Sequence, residues 1–431
     1  VGLIRAAKVF LDGDFVDERV IVTDGAKIDR VEEGSGGDWP HIAIVPGAVN
    51  AHGHAFQNLL KGFGDDSLFE TWRDDVLYPF SEKLDGDAIY WGALFAFGEA
   101  LLSGTTTTVD FFYLHDESNE NAERVIQAAK DIGIRLVLAR ALYDPDAPTK
   151  APARYREPYD ESLERLTELA DAYEHDPLIS IQPAPHSLHA ASPETIAAAL
   201  GWAKRVNVPC HLHLAEARYE LDQIVALHGT TPVRLLEREG LLDPHLVAIH
   251  AVWLDDEELD MLAEAGVGVV HCPGANAFLG DGIARVPEML RRGIRVALGP
   301  DGGCANNRQS VFDEMRTASL MAKARLTDGE ALDAGTAFRM GTLGGAELLK
   351  LPTGEIEAGA AADLVALDLR DLSLHPLATL DRQIVNSMQP TAIERVMVAG
   401  EVVVDNGTLT KVDGAEIRAA VTRITSGWPR V

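Results

Sequence analysis

The sequence predicts an α/β fold: a (β/α)8 TIM-type barrel with a small β-sandwich domain built from both chain ends. Three observations predict it. Eight apolar, strand-like runs alternate with amphipathic stretches across the middle of the chain, the repeating unit of a parallel barrel. Both ends are strand-rich and show no helical period. Polar residues gather where the central strands end, the face on which such barrels place their chemistry. The length of 431 residues suits one large domain and one smaller one.

In chain order, residues 1–46 read as strands joined by tight turns at Leu11-Asp12-Gly13-Asp14 and Thr23-Asp24-Gly25-Ala26, the first part of the β domain. Residues 47–352 hold the barrel. Its strands begin near Ala48, Thr105, Ile134, Leu178, Val208, Leu246, Gly266 and Ile294. Helical stretches follow, such as 88–102, 122–131, 193–205 and 255–265, and further helices lie between 328 and 350. Residues 353–431 return to strands: Ala362-Asp363-Leu364-Val365-Ala366-Leu367, then 392–404, with a hairpin turn at Asp405-Asn406-Gly407. They complete the β domain.

The formal net charge of -29, from 67 acidic and 38 basic residues, repels phosphate backbones and anionic bilayers. Neither a nucleic-acid nor a membrane partner is expected. The longest apolar run, near 93–102, is broken by Gly98 and Glu99 and is too short to span a bilayer. No basic-then-apolar signal segment opens the chain. Cys210, Cys272 and Cys304 are odd in number and far apart, which fits reduced thiols in a cytoplasmic enzyme. Each reads as a small buried residue.

The strand ends carry the chemistry. In Ala48-Val49-Asn50-Ala51-His52-Gly53-His54, residues i and i+2 share a face, so two imidazoles leave the first strand side by side. The fourth strand ends at His186, followed by His189; the fifth offers His211 and His213, then Glu216; the sixth ends at His250 and the eighth at Asp301. One such histidine could be satisfied by core hydrogen bonds. Six of them with an aspartate call for a bound group, because buried polar groups without partners are costly. His52, His54, His213 and Asp301 offer three nitrogens and one oxygen, a set that suits one divalent metal ion, zinc or iron(II).

These residues resemble those of the amidohydrolase superfamily, and the resemblance covers nearly the whole chain, including the stretch from Gly354 to Val365. His213-Leu214-Ala215-Glu216 resembles the aminohydrolase, or deaminase, branch, which implies His213 as a metal ligand and Glu216 as a proton shuttle. His211 is then assigned to the surroundings of the site. Gly299-Pro300-Asp301-Gly302, Asn306-Asn307 and Phe312-Asp313-Glu314-Met315-Arg316 are similar to S-adenosylhomocysteine deaminases and triazine hydrolases. His54-Ala55-Phe56-Gln57, Thr71-Trp72-Arg73, Tyr113 with His115, and Leu279-Gly280-Asp281-Gly282-Ile283 look more like formimidoylglutamate deiminase. That enzyme has an arginine where His189 stands. Dinuclear members carry a bridging lysine at the end of strand four. No lysine lies between Lys150 and Lys204, so the implied site is mononuclear.

The expected activity is therefore metal-dependent hydrolytic deamination of an amino-substituted heterocycle, such as a purine, nucleoside or pterin, or of a related amidine. Glu216 would move protons to the substrate nitrogen, Asp301 would be ligand and first proton acceptor, and His250 would hydrogen-bond the attacking water or the developing oxyanion. The alternatives are a formimidoylglutamate-type deiminase, a triazine-type hydrolase, or a non-catalytic scaffold; every ligand position is filled, which argues against the last. The long segment 55–85 offers Gln57, Trp72 and Arg73 to a small-molecule substrate, and strand four offers His186 and His189. Arg73 suits either a substrate carboxylate or an ion pair with Asp74 or Asp75. Trp72 suits stacking or packing of the loop, and Asn276, in the loop after strand seven, is a weaker substrate candidate that reads more readily as a turn residue. Homodimers are common among such proteins, so a homodimer is an open expectation; no residue here specifies one.

Overall fold

The computed structural model describes residues 2–34 and 39–429; residues 1, 35–38 and 430–431 of the two end segments lie outside it. The N-terminal segment forms β1 (Gly2–Leu11), β2 (Asp14–Asp24), β3 (Lys27–Glu33) and β4 (Trp39–Pro46). At the β1–β2 turn, Asp12 and Gly13 take φ of 50° and 89°. Such a left-handed pair matches the twist of the flanking strands, and glycine accepts it without strain.

Eight parallel strands follow: β5 (Ala48–Asn50), β6 (Thr105–Phe112), β7 (Arg135–Leu142), β8 (Ile179–Pro185), β9 (Cys210–Leu214), β10 (Leu246–His250), β11 (Gly268–His271) and β12 (Val296–Leu298). Their starts lie within two residues of the expected positions. They form two four-stranded sheets, β5-β6-β7-β8 and β9-β10-β11-β12. Two backbone contacts bridge the sheets. Ala51 N, just past β5, donates to Leu298 O of β12 at 2.9 Å, and His213 N of β9 donates to His186 O, just past β8, at 3.1 Å. Inward and outward faces are both buried along β6, β7 and β10, as expected of parallel strands covered on both sides.

The intervening helices begin where the sequence supplies caps. Asp85 accepts from Ala88 N at the start of Gly86–Leu102, and Ser192 accepts from Thr195 N, with Pro193 in the first turn, at the start of Pro193–Val206. Asp255 and Glu258 form a capping box ahead of Asp256–Glu264.

The chain closes with β13 (Leu364–Asp368), β14 (Ile393–Val398), β15 (Glu401–Asp405) and β16 (Thr408–Leu409). Where the sequence suggested two packed sheets, all the end strands join one hydrogen-bonded sheet, ordered β16-β15-β14-β13-β4-β1-β2-β3. The cause is β4, which pairs in parallel with β1 and antiparallel with β13, so the C-terminal strands extend the N-terminal sheet. Ile4, Val9, Ile21, Ile28, Ile44 and Leu364 form its separate apolar cluster. Asp363 fastens this sheet to the α/β unit: it receives a two-pronged bond from Arg135 (2.8 and 3.2 Å), plus Thr353 Oγ1 and Ala399 N. The C-terminal end is not all strand. Gly414–Thr425 is a helix, with Asp413 as its cap, and Arg423 pairs with Asp87 at 2.9 Å. Among the described residues no helix is long and apolar enough to cross a membrane, and Cys210, Cys272 and Cys304 are buried and unpaired.

Candidate metal and active site

The ends of β5, β9, β10 and β12 meet in one buried cluster. His52 and His54 follow β5; His52 Nε2 and His54 Nε2 each lie 3.5 Å from Asp301 Oδ1. His213 joins them, its ring 4.9 Å from that of His52 and 5.5 Å from that of His54. The ligand atoms of His52, His54 and His213 all lie within 4.8 Å of one another, as do those of His52, His250 and Asp301.

The tautomers are set from behind. His54 Nδ1 donates to Phe111 O at 2.7 Å, and His213 Nδ1 donates to His186 O at 2.8 Å, which leaves both Nε2 atoms as free lone pairs facing inward. His52 is fully buried, and neither of its ring nitrogens has a hydrogen-bond partner. Burial, then the neighbouring imidazoles, pushes His52 well below the usual imidazole range; burial does the same for His54, His186 and His250. Neutral imidazoles, a carboxylate and an orphaned buried nitrogen fit a divalent cation. Ligands of a tetrahedral zinc lie ~3.3 Å apart, close to the 3.5 Å found here. Asp301 is held with φ of 66°, its N donating to His52 O and its Oδ1 accepting from Gly302 N at 2.7 Å. Left-handed backbone at a non-glycine costs free energy and clusters at working sites.

Glu216 stands beside this set, its Oε1 3.4 Å from His250 Nε2. Burial first, then the negative charges of Asp281, Asp301 and Glu220, raises it well above the usual carboxylate range, which favours its protonated form. Burial pushes Asp281 and Glu220 up to about 7.

The five expected substrate residues all border the adjoining cavity. Gln57 donates to Tyr113 Oη at 2.9 Å. Trp72 is buried and donates to Cys304 O at 3.1 Å, which packs its loop onto the barrel side. Arg73 Nε pairs with Asp74 at 2.8 Å, the ion pair foreseen as its alternative, while its guanidinium lies over the Tyr219 ring at 5.3 Å and so also reaches the cavity. His186 and His189 share Ser187 Oγ, each at 3.0 Å. His211 does not border the cavity and contacts Gln182 at 2.7 Å.

Sequence reasoning missed several cavity residues: Tyr78, Tyr143, Tyr155, Tyr219 and Glu220. The signal for Glu220 was present in its spacing, since it follows Glu216 by four positions and accepts from Glu216 N at 2.9 Å. Asn276 is no turn residue. It lies in the helix Pro273–Leu279 and its Nδ2 is 3.2 Å from His250 Nδ1.

Inward nitrogens that a cation would satisfy, next to a buried carboxyl whose ionisation is disfavoured, define a class: metal-dependent hydrolases. The chain belongs to the amidohydrolase family, whose model matches residues 43–403. Within it the chain is 36% identical, over 88% of its length and 84% of the relative's, to a 5-methylthioadenosine/S-adenosylhomocysteine deaminase of Syntrophobacter fumaroxidans. It is 33% identical, over 95% and 91%, to a 5'-deoxyadenosine deaminase of Methanothermobacter thermautotrophicus. Among solved structures, a zinc-bound adenosine deaminase from Xanthomonas campestris superposes with a TM-score of 0.90 at 30% identity, covering 98% of this chain and 97% of that one. A zinc-bound atrazine chlorohydrolase from Arthrobacter aurescens gives 0.90 at 27%, covering 98% and 99%. The protein is an enzyme, a hydrolase of carbon–nitrogen bonds other than peptide bonds, that uses a divalent metal and acts on a small molecule.

Proposed function

We propose that this hydrolytic deaminase removes the amino group of a 6-aminopurine nucleoside, with a single zinc ion held by His52, His54, His213 and Asp301. The relatives' substrates support the purine, and the zinc in related structures supports the metal. The observation that carries the reading is Glu216, a buried carboxyl 3.4 Å from His250 on the rim of the metal cluster, where burial and acidic neighbours favour its protonated form. A hydrolase that expels an amine needs a proton donor at that place.

Zinc, when bound, supplies a water that loses its proton near neutral pH. Asp301 accepts that proton. Glu216 gives its own proton to the ring nitrogen beside the amino-bearing carbon, which makes that carbon electrophilic. His250 donates a hydrogen bond to the attacking oxygen as charge develops. Water, having left one proton on Asp301, adds to the carbon; its remaining hydroxyl proton passes to Glu216, which hands it to the departing amine so that ammonia leaves, and the proton held by Asp301 then restores Glu216. Gln57, Trp72, His186 and His189 bound the ring and keep water out.

We read the two parallel sheets as halves of one closed (β/α)8 barrel over residues 47–352, with 1–46 and 353–431 as the second domain; the two bridging backbone bonds support closure. The unpaired buried thiols support a cytoplasmic setting.

A second reading has its own observation. Arg73 at the cavity edge would suit an N-formimidoyl amino acid, whose carboxylate it could bind. Ammonia release from adenosine, 5'-methylthioadenosine, S-adenosylhomocysteine, 5'-deoxyadenosine and formimidoylglutamate separates the two. Purine kcat/KM values about 100-fold above that for formimidoylglutamate are expected. The reverse order, or release of no ammonia from any purine, would overturn the proposal.

A further inference from the structure

We infer that Asn276, seated on Asp281, is a positioning residue that locks His250 in the tautomer whose Nε2–H faces the reacting centre. The role assigned to that hydrogen rests on the deaminase reading; the lock itself stands on the geometry.

His250 closes β10 with φ of 72°, which swings its ring across the site. One end of the ring meets carboxyl groups: Nε2 is 3.4 Å from Glu216 Oε1 and 3.9 Å from Asp301 Oδ2. Nothing at that end dictates which nitrogen carries the proton, because Glu216 in its protonated form can donate as well as accept. The opposite end decides. Asn276 Nδ2 lies 3.2 Å from His250 Nδ1. An amide nitrogen donates and cannot accept, so Nδ1 must present its lone pair and the proton belongs on Nε2.

The amide could reverse this by turning over, with its oxygen toward His250. Asp281 opposes the turn in its ionised form. Its Oδ2 is 3.3 Å from the same Asn276 Nδ2, so the two amide hydrogens serve two acceptors. Turned over, the amide oxygen would face the Asp281 carboxyl. Asp281 is itself held, its N donating to Asn276 O at 2.9 Å and its carbonyl accepting from Trp253 Nε1 at 2.8 Å.

The helix that carries Asn276 is clamped from below. Glu314 accepts from Gly274 N and from Asn306 Nδ2, each at 2.8 Å. A Cβ on residue 274 would come within 2.5 Å of Glu314 Oε1, so this approach requires glycine. Glu314, prominent in the sequence but absent from the chemistry, thereby gains a purpose: it fixes the platform from which Asn276 addresses His250.

The test is a pair of substitutions and a spectrum, all on the metal-loaded enzyme. Asn276→Asp is nearly isosteric but replaces the donor with an acceptor, which draws the His250 proton to Nδ1. The expected result is a fall in kcat of about 10–100-fold, with KM within about threefold and metal content unchanged. Asn276→Ala removes the lock but allows both tautomers, and should lose less than Asn276→Asp. A merely structural role predicts the opposite order, since alanine leaves the larger gap; that order, or wild-type kcat in Asn276→Asp, overturns the proposal. Nitrogen NMR of histidine-labelled enzyme, with His250 assigned through His250→Asn, reads the tautomer without substrate. An unprotonated Nδ1 in the wild type is expected, and a protonated one refutes the lock. Failure to deaminate purines would sink the functional reading and leave this measurement intact.

Discussion

Glu216→Gln isolates the proton-transfer step. The substitution keeps the shape of the side chain and an oxygen that can accept from His250, 3.4 Å away, and it removes only the exchangeable proton. Positioned acid–base groups contribute about 10²–10⁴-fold, or ~2.7–5.4 kcal/mol of barrier at 1.36 kcal/mol per decade. The structure places this case toward the upper part of that span. Burial and three acidic neighbours raise Glu216, and among the described residues the other carboxyl recorded near His250 is Asp301, at 3.9 Å. Stability should not suffer, because a neutral amide replaces a carboxyl whose charged form burial disfavours. Metal should stay, since the convergent nitrogens belong to His52, His54 and His213. The assay is ammonia release at saturating substrate, with metal stoichiometry and thermal melting on the same samples. Turnover within threefold of wild type would refute the assignment; loss of metal would show that Glu216 helps to hold the cation.

Other perturbations reach other parts of the molecule. Gly299→Ala would set a Cβ 2.7 Å from His52 O and 2.8 Å from His52 N, so metal per chain should fall below half while circular dichroism is unchanged; full occupancy would count against it. Removing the metal with a chelator should lower the melting temperature reversibly, by the equivalent of ~2.7 kcal/mol when metal had been present at 100 times its dissociation constant; an unchanged melt would argue that the cluster binds no cation. Arg140→Met breaks a buried pair with Glu157, whose atoms lie 2.9 Å apart, and should cost about 3 kcal/mol in urea melts at pH 7; a loss under ~1 kcal/mol, the scale of an exposed pair, would contradict this. Burial lowers His115 to about 3, so above that pH Arg140 is the charged partner of Glu157. Burial alone would raise Glu157, but His115 and Arg140 outweigh it and hold it at about 2. That lies below the ~4.3 of an unfolded glutamate, so its stabilisation is complete above pH ~4.3 and is lost as pH falls toward 2; acid titration of the wild type should show the decline in that window.

The parallel strands were legible because buried β runs and capped helices carry strong local patterns, and the histidines at their ends because i, i+2 spacing fixes a face. What resisted reading depends on long-range pairing or on helix rotation. That β4 would accept β13 as a neighbour is not written in either segment. Tyr219 and Glu220 reach the cavity only because the helix Arg218–His228 turns them that way. Asn276 looked like a turn residue because asparagine in the segment after a strand usually is; the short helix starting at Pro273 overrides that preference. The terminal helix Gly414–Thr425 escaped notice behind a strand-rich neighbourhood.

The union of β4 with β13 sets a timetable for synthesis. Val45 pairs with Val365, so a ribosome must release every intervening unit before β4 receives its second neighbour. At ~5–20 residues per second this wait is roughly 15–60 s. During it Ile42, Ala43, Ile44 and Val45 offer an apolar, unpaired edge to other nascent chains. Recombinant yield should therefore respond to slower growth and to chaperone supply more than to any gain in equilibrium stability.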